Sequence, residues 1–124
     1  MTNQNSELKS PLKCSIFWSP NKKSKKLLLY NHCFSGNKLE AIPYLDYTDN
    51  KYSLLCYDLR GTGNNMSEYV TLGLRESLDL LRIIKYVIKN FDFKEIFLWG
   101  RSMGATTVIH LMHDLEFYIK YYEF

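Results

Sequence analysis

This 124-residue chain has little cysteine, no long apolar run and no excess of one charge, and each shortage removes a class of protein. The three cysteines, Cys14, Cys33 and Cys56, are odd in number, widely spaced and without a CxxC pair. Neither a disulfide framework nor a zinc site is therefore expected, and no metal or organic cofactor is implied. No apolar run approaches the roughly 18 residues of a transmembrane span. Met1 to Lys13 is polar and lacks the apolar core of a signal peptide, so a cytoplasmic location is expected. Sixteen basic and 13 acidic residues give a formal charge of only +3. The one basic cluster, Lys22, Lys23, Lys25 and Lys26, has no interleaved aromatic side chains, as a single-strand binder would want. It reads as a solvated turn between two strands, and nucleic acid is not an expected partner.

Apolar material is plentiful. Hydrophobic residues make up 46% of the chain and aromatics 15%, enough for one packed domain and against disorder. No internal repeat, linker or low-complexity tract divides it, and only residues 1–10 are expected to be flexible. Leu12 to Trp18 is rich in β-formers and ends at Ser19-Pro20-Asn21. Lys26 to Tyr30, Tyr52 to Tyr57 and Glu95 to Trp99 are short apolar runs between turn signals, as expected of strands buried on both faces. Lys38 to Asp46 is expected to be a short helix despite Pro43. From Leu74 to Asn90, Leu74, Leu78, Leu81, Ile84 and Ile88 recur at helical spacing, and Leu80, Ile83 and Val87 widen that stripe. Met103 to His113 reads as a second helix. Strands alternating with helices predict an α/β domain with a mostly parallel sheet.

Chemistry concentrates at Gly100-Arg101-Ser102-Met103-Gly104, a G-x-S-x-G sequence between a predicted strand and a predicted helix. The bare pattern arises by chance in about one chain in twenty-five of this length, so its context carries the weight. A nucleophile on a sharp strand-to-helix turn needs strained dihedrals and neighbours without side chains, which Gly100 and Gly104 supply. The helix that follows points its first N–H groups and its dipole at the oxyanion formed in acyl transfer. Asn31-His32-Cys33-Phe34-Ser35-Gly36 follows the central strand, where this architecture draws a second oxyanion donor.

These blocks resemble the α/β-hydrolases of the serine aminopeptidase-like branch, which includes esterase and thioesterase relatives. His32-Cys33-Phe34 aligns with the family's His-Gly loop. Tyr57 to Asn65 is similar to its aspartate followed by Gly-x-Gly-x-Ser, and Glu68 to Gly73 to the stretch leading into the helix before the elbow. With Leu98 to Ala105, the match covers most of Leu27 to Met112, in order and at compatible spacing. Cys33 stands where glycine is usual, and Asn65 and Ser67 replace the serine and glycine usual after Gly63. The resemblance implies a three-layer α/β-hydrolase fold acting on an acyl or peptide substrate. It also implies Ser102 as nucleophile and Phe34 and Met103 as backbone N–H oxyanion donors. His32, Gly100, Gly104 and Asp58 are given structural roles at the site.

A serine hydrolase also needs a general base and an acid to orient it, which in this fold follow the serine. Twenty-two residues follow Ser102. His110 and His113 lie on the elbow helix, roughly 12 and 16 Å along its axis from the serine. Asp114 and Glu116 lie too early for the acid and have no histidine to serve. The expected domain is thus the amino-terminal part of the fold, truncated after the elbow helix, with Glu95 to Trp99 left as an apolar edge. Leu115 to Phe124 is expected to contribute part of a next strand. Two other readings compete. A catalytically inactive relative acting by binding fits the missing acid and base. Dinucleotide binding through Gly61-Thr62-Gly63 fits poorly, because no helix starts at that loop and Met66 holds the last glycine position.

Overall fold

The computed structural model describes residues 11–63 and 69–122. The expected flexibility of residues 1–10, and the motif positions Asn64, Asn65, Ser67 and Glu68, lie outside the described residues. In chain order the elements are β1 (Cys14–Phe17), β2 (Lys26–Asn31), a 3-10 segment (Lys38–Thr48), β3 (Ser53–Tyr57), α1 (Leu74–Asn90), β4 (Glu95–Gly100) and α2 (Met103–Tyr122). The sheet runs β1-β3-β2-β4, with β1 antiparallel to β3 and the other pairs parallel. Three parallel strands place the loops that follow β2, β3 and β4 at one end of the sheet.

Register sorts the strand residues into two cores. Leu28 lies opposite Leu54, and Leu29 opposite Leu55, so residues of like parity share a face. Leu27, Leu29, Leu55 and Tyr57 face α1 and α2, meeting Leu80, Ile83, Val87, Met103 and Leu111. Tyr30, Leu54 and Cys56 face the other way and are covered by Ala41, Tyr44 and Leu45 of the 3-10 segment. Burying each large apolar side chain contributes about 1.5–3 kcal/mol, so the continuous runs in β2 and β3 are what the two-sided burial requires. The result is three layers: a helix pair, the sheet and the 3-10 segment.

Four expectations change in detail. Lys38 to Asp46 is not an α-helix but a 3-10 segment reaching Thr48. Pro43 inside it has no N–H to donate, which weakens any i to i−4 ladder there. Glu95 to Trp99 is not buried on both faces, since Phe97 and Trp99 are partly exposed, although β4 does lie at the expected edge and pairs with β2 alone among the described strands. Residues 115–122 continue α2 instead of starting a strand, since no proline or glycine interrupts the sequence after Gly104. Finally, α1 is rotated relative to the expected stripe. Leu74, Leu78 and Ile88 are exposed, while Glu76, Ser77, Asp79, Leu80, Ile83 and Val87 are buried.

Two buried charges explain the rotation. Asp79 accepts from Arg60 Nε at 2.6 Å and Nη2 at 2.7 Å, and both side chains are 1% exposed. Glu76 accepts the backbone N–H groups of Thr71 at 2.7 Å and Gly73 at 3.0 Å. Both carboxylates lie on the same helical face as Leu80, Ile83 and Val87, and hydrophobic spacing alone does not register them. At the opposite end of the sheet the lysine cluster forms the expected turn, with Ser24 N–H donating to Asn21 O at 2.9 Å. Lys25 and Lys26 there pair with Asp92 and Glu95.

The Arg60–Asp79 pair sets a stability test. Removing Asp79 takes a bidentate carboxylate from a buried guanidinium, so Asp79→Ala is expected to lower stability by about 3–5 kcal/mol. Urea unfolding measures it; a loss below about 1 kcal/mol would mean that water reaches the pair.

Candidate active site

β4 ends at Gly100 and α2 begins at Met103, so Arg101 and Ser102 alone make the reversal. Ser102 has φ 53°, in the left-handed region that non-glycine residues rarely enter. Its side chain is exposed at the carboxyl end of the parallel strands. A Cβ on Gly100 would stand 2.3 Å from Gly104 O, and one on Gly104 would stand 2.0 Å from Asn31 O. Both glycines are therefore required by backbone packed directly on backbone. Arg101 N–H donates to Asn31 O at 3.1 Å, and Thr106 N–H to Ser102 O at 3.0 Å, which fixes both sides of the turn. Met103 opens α2, so its N–H belongs to the first-turn amides that have no carbonyl four residues back. Its side chain is buried in the core, so any part it has in the site is through that N–H.

The loop after β2 is held just as firmly. Asn31 is buried; its amide donates to Trp99 O at 3.2 Å and its carbonyl accepts the Tyr57 hydroxyl at 2.7 Å. One side chain thus ties β2 to β3 and β4. His32 is fully buried beside it. Its Nε2 accepts the Leu59 N–H at 3.0 Å, which leaves the ring proton on Nδ1, donated to Cys33 O at 2.7 Å. Burial holds this imidazole below its ordinary value of 6.5, against the raising influence of Cys33 O, Glu40 and Asp58. Both nitrogens are thus engaged in joining the loops after β2 and β3. Cys33 O also receives Gly36 N–H at 3.1 Å, closing a tight turn that leaves Phe34 exposed at its tip.

Asp58, buried just after β3, accepts Lys38 N–H at 2.8 Å and so holds the start of the 3-10 segment. Gly63, at φ 48°, lies against the Asp58 carboxylate, where a Cβ would come within 2.4 Å. A carboxylate lies where a pyrophosphate would need donors, which argues further against a dinucleotide loop. His110 and His113 are exposed on α2 and do not join the site. Among the described residues, no group of three or more His, Cys, Asp or Glu is placed to hold a metal ion.

Sequence reasoning missed Glu40 and Arg101. Glu40 Oε1 accepts the Tyr30 hydroxyl at 2.6 Å and lies 3.4 Å from Arg101 Nη1; Oε2 accepts the Cys33 thiol at 3.0 Å. Burial pushes this carboxyl up, but the Tyr30, Cys33 and Arg101 donors outweigh it and hold Glu40 below the usual carboxylate range. Tyr30, its hydroxyl donor, stacks on Tyr44 at 5.1 Å and meets Trp99 edge-on at 5.9 Å, while Tyr44 and Trp99 form a tilted pair 4.6 Å apart. Nothing in periodicity marks Glu40, because its partners lie 10, 7 and 61 residues away.

The family model described as the alpha/beta hydrolase fold matches residues 26–116. The chain belongs to the α/β-hydrolase fold family. Among solved structures, it is similar to ferulic acid-bound Est1E from Butyrivibrio proteoclasticus, at 21% identity and TM-score 0.69 over 85% of this chain and 44% of that one. It is also similar to an α/β serine hydrolase without a lid from Xanthomonas campestris, at 18% identity and TM-score 0.71 over 86% and 52%. A third similar structure is a lipase-esterase related protein from Clostridium acetobutylicum, at 27% identity and TM-score 0.64 over 81% and 40%. This α/β-hydrolase chain thus spans about half the length of the structures it matches.

Two outcomes follow from this packing. Gly104→Ala puts a methyl group into the Asn31 carbonyl and is expected to cost about 3 kcal/mol, at the upper end for overpacking, read by urea unfolding. Full wild-type stability would mean that α2 can lift off β2. Because folding lowers the His32 value, stability is complete above pH 6.5 and declines as pH falls below it. The His32 ring should titrate below 6.5 by NMR; a midpoint at or above 6.5 would place its nitrogens in water.

Proposed function

We propose that Ser102 is the nucleophile of a serine hydrolase that cleaves an ester, thioester or amide bond through an acyl-enzyme. The observation that carries this reading is the left-handed backbone of Ser102, on a turn whose flanking glycines admit no side chain. Strain of this kind clusters at sites of chemistry, and here it holds a hydroxyl out at the end of the sheet. In this reading the Ser102 hydroxyl attacks the substrate carbonyl and gives its proton to a general base. The Phe34 and Met103 N–H groups stabilise the oxyanion, with the first turn of α2 adding its dipole. Collapse of the intermediate transfers that proton to the leaving group and leaves the acyl group on Ser102. Water then attacks the acyl-enzyme, and the same base returns a proton to the serine.

The base and its acid are proposed to belong to the part of the α/β-hydrolase fold that this chain's match does not span. His32 does not serve, since both its nitrogens hold backbone groups of neighbouring loops. The placement of His32, His110 and His113 also favours a second reading, a domain that binds acyl or peptide ligands without turnover. The sequence resemblance to the serine aminopeptidase-like branch supports acyl or peptide chemistry without choosing between ester and amide.

Labelling with a fluorophosphonate, in protein that includes the part carrying the base and acid, separates the two readings. The expected result is covalent labelling at Ser102, located by mass spectrometry and lost in Ser102→Ala. A wild-type protein that stays unlabelled while folded would leave the binding reading in its place.

A further inference from the structure

We propose that Glu40 is a positioning residue for acyl transfer, fixing the oxyanion loop against the nucleophile elbow. The inference rests on the serine-hydrolase reading and assigns a function to a residue which that reading does not use. Glu40 lies in the 3-10 segment and comes from neither half of the proposed oxyanion hole, yet its carboxylate touches both. Oε2 accepts the thiol of Cys33, the residue before Phe34; Oε1 faces the guanidinium of Arg101, the residue before Ser102. The Tyr30 hydroxyl, from the end region of β2, anchors Oε1 at 2.6 Å.

Three features make this a built junction. The Glu40 side chain is 14% exposed, so its charge acts in a partly desolvated setting where ion pairs and charge-assisted bonds are stronger than in water. A Cβ on Gly36 would lie 2.2 Å from Oε2, so the loop backbone packs directly on the carboxylate and a side chain at residue 36 would displace it. Cys33, which replaces the glycine usual in the family, supplies a thiol donor that glycine lacks. The thiol donates to Glu40 Oε2, so the side chain at this position is one of the loop's attachments.

The geometry matters because an oxyanion hole works by preorganisation. Its two donors come from segments 69 residues apart in sequence, and misplacing either one forfeits transition-state stabilisation without weakening substrate binding. Glu40 does not touch the reacting atoms, so its contribution is to the rate of the covalent step.

The test compares wild type, Glu40→Gln and Arg101→Met in the full chain. Glu40→Gln keeps the shape and one acceptor but removes the charge; Arg101→Met removes only the elbow contact and alters an exposed side chain. The first readout is the backbone 15N order parameter of Cys33 to Ser35, expected to fall from about 0.85 to below about 0.6 in Glu40→Gln. The second is fluorophosphonate labelling as a function of probe concentration. The maximal rate is expected to fall about tenfold in both variants, with the half-saturating concentration and the urea midpoint of Arg101→Met unchanged. A purely structural role would move the midpoint and leave the maximal rate of the folded fraction alone. Unchanged order parameters and an unchanged maximal rate in folded Glu40→Gln would overturn the proposal. If Glu40→Gln does not fold, Arg101→Met decides through its maximal labelling rate, and an unchanged rate there would overturn the proposal. An unlabelled wild type sinks the serine-hydrolase reading instead, and the order parameters still report whether Glu40 positions the loop.

Discussion

The first turn of α2 rests on the carboxyl end of β2 with backbone against backbone, and the functional end of the domain is arranged around that contact. Gly104 lies over the Asn31 and His32 carbonyls, and Gly100 lies under Gly104. No side chain is available to adjust the gap, so the elbow has one position relative to β2. The loop leaving β2 carries His32 and Phe34, while the turn leaving β4 carries Ser102. Close approach of two glycines to neighbouring backbone thus sets the spacing of everything proposed to react.

Buried polar groups then lock what the glycines permit. Asn31 joins three strands through its side chain, His32 joins two loops through both ring nitrogens, and Arg60–Asp79 ties the loop after β3 to α1. Each group is satisfied, which the low-dielectric interior demands. Such networks are directional, unlike the leucines of the two cores, and they hold loops that contribute little apolar area. The apolar layers stabilise the sheet, and the polar links specify the conformation of the loops at its edge.

The sequence was most informative where local chemistry and local geometry coincide. α1 spans Leu74–Asn90, as its periodicity indicates, because seventeen residues without a breaker leave few alternatives. The strand-to-helix turn at Arg101 and Ser102 was legible because glycine on both sides of it answers a local backbone demand. The rotation of α1 was not, since Asp79 and Glu76 interrupt the hydrophobic spacing, Asp79 pairing with Arg60 of the loop after β3 and Glu76 with the backbone at the helix start. Glu40 was hidden for the same reason: a carboxylate among lysine and leucine in Lys38-Leu39-Glu40 reads as solvated until the fold encloses it. The partial exposure of β4 follows from strand order, which no strand records alone. Residues 115–122 misled because tyrosine and phenylalanine favour strands on average, whereas an uninterrupted helix simply continued.

The left-handed Ser102 has one more implication. Holding a side chain in that region costs of order 1–3 kcal/mol, and glycine would occupy the same φ at almost no cost. Selection for stability alone would therefore drift this position toward glycine, the residue already standing two places to either side. A serine there is the less stable choice, so folding alone does not account for it. Stability and the hydroxyl are set against each other at a single residue, and the domain carries the more expensive option.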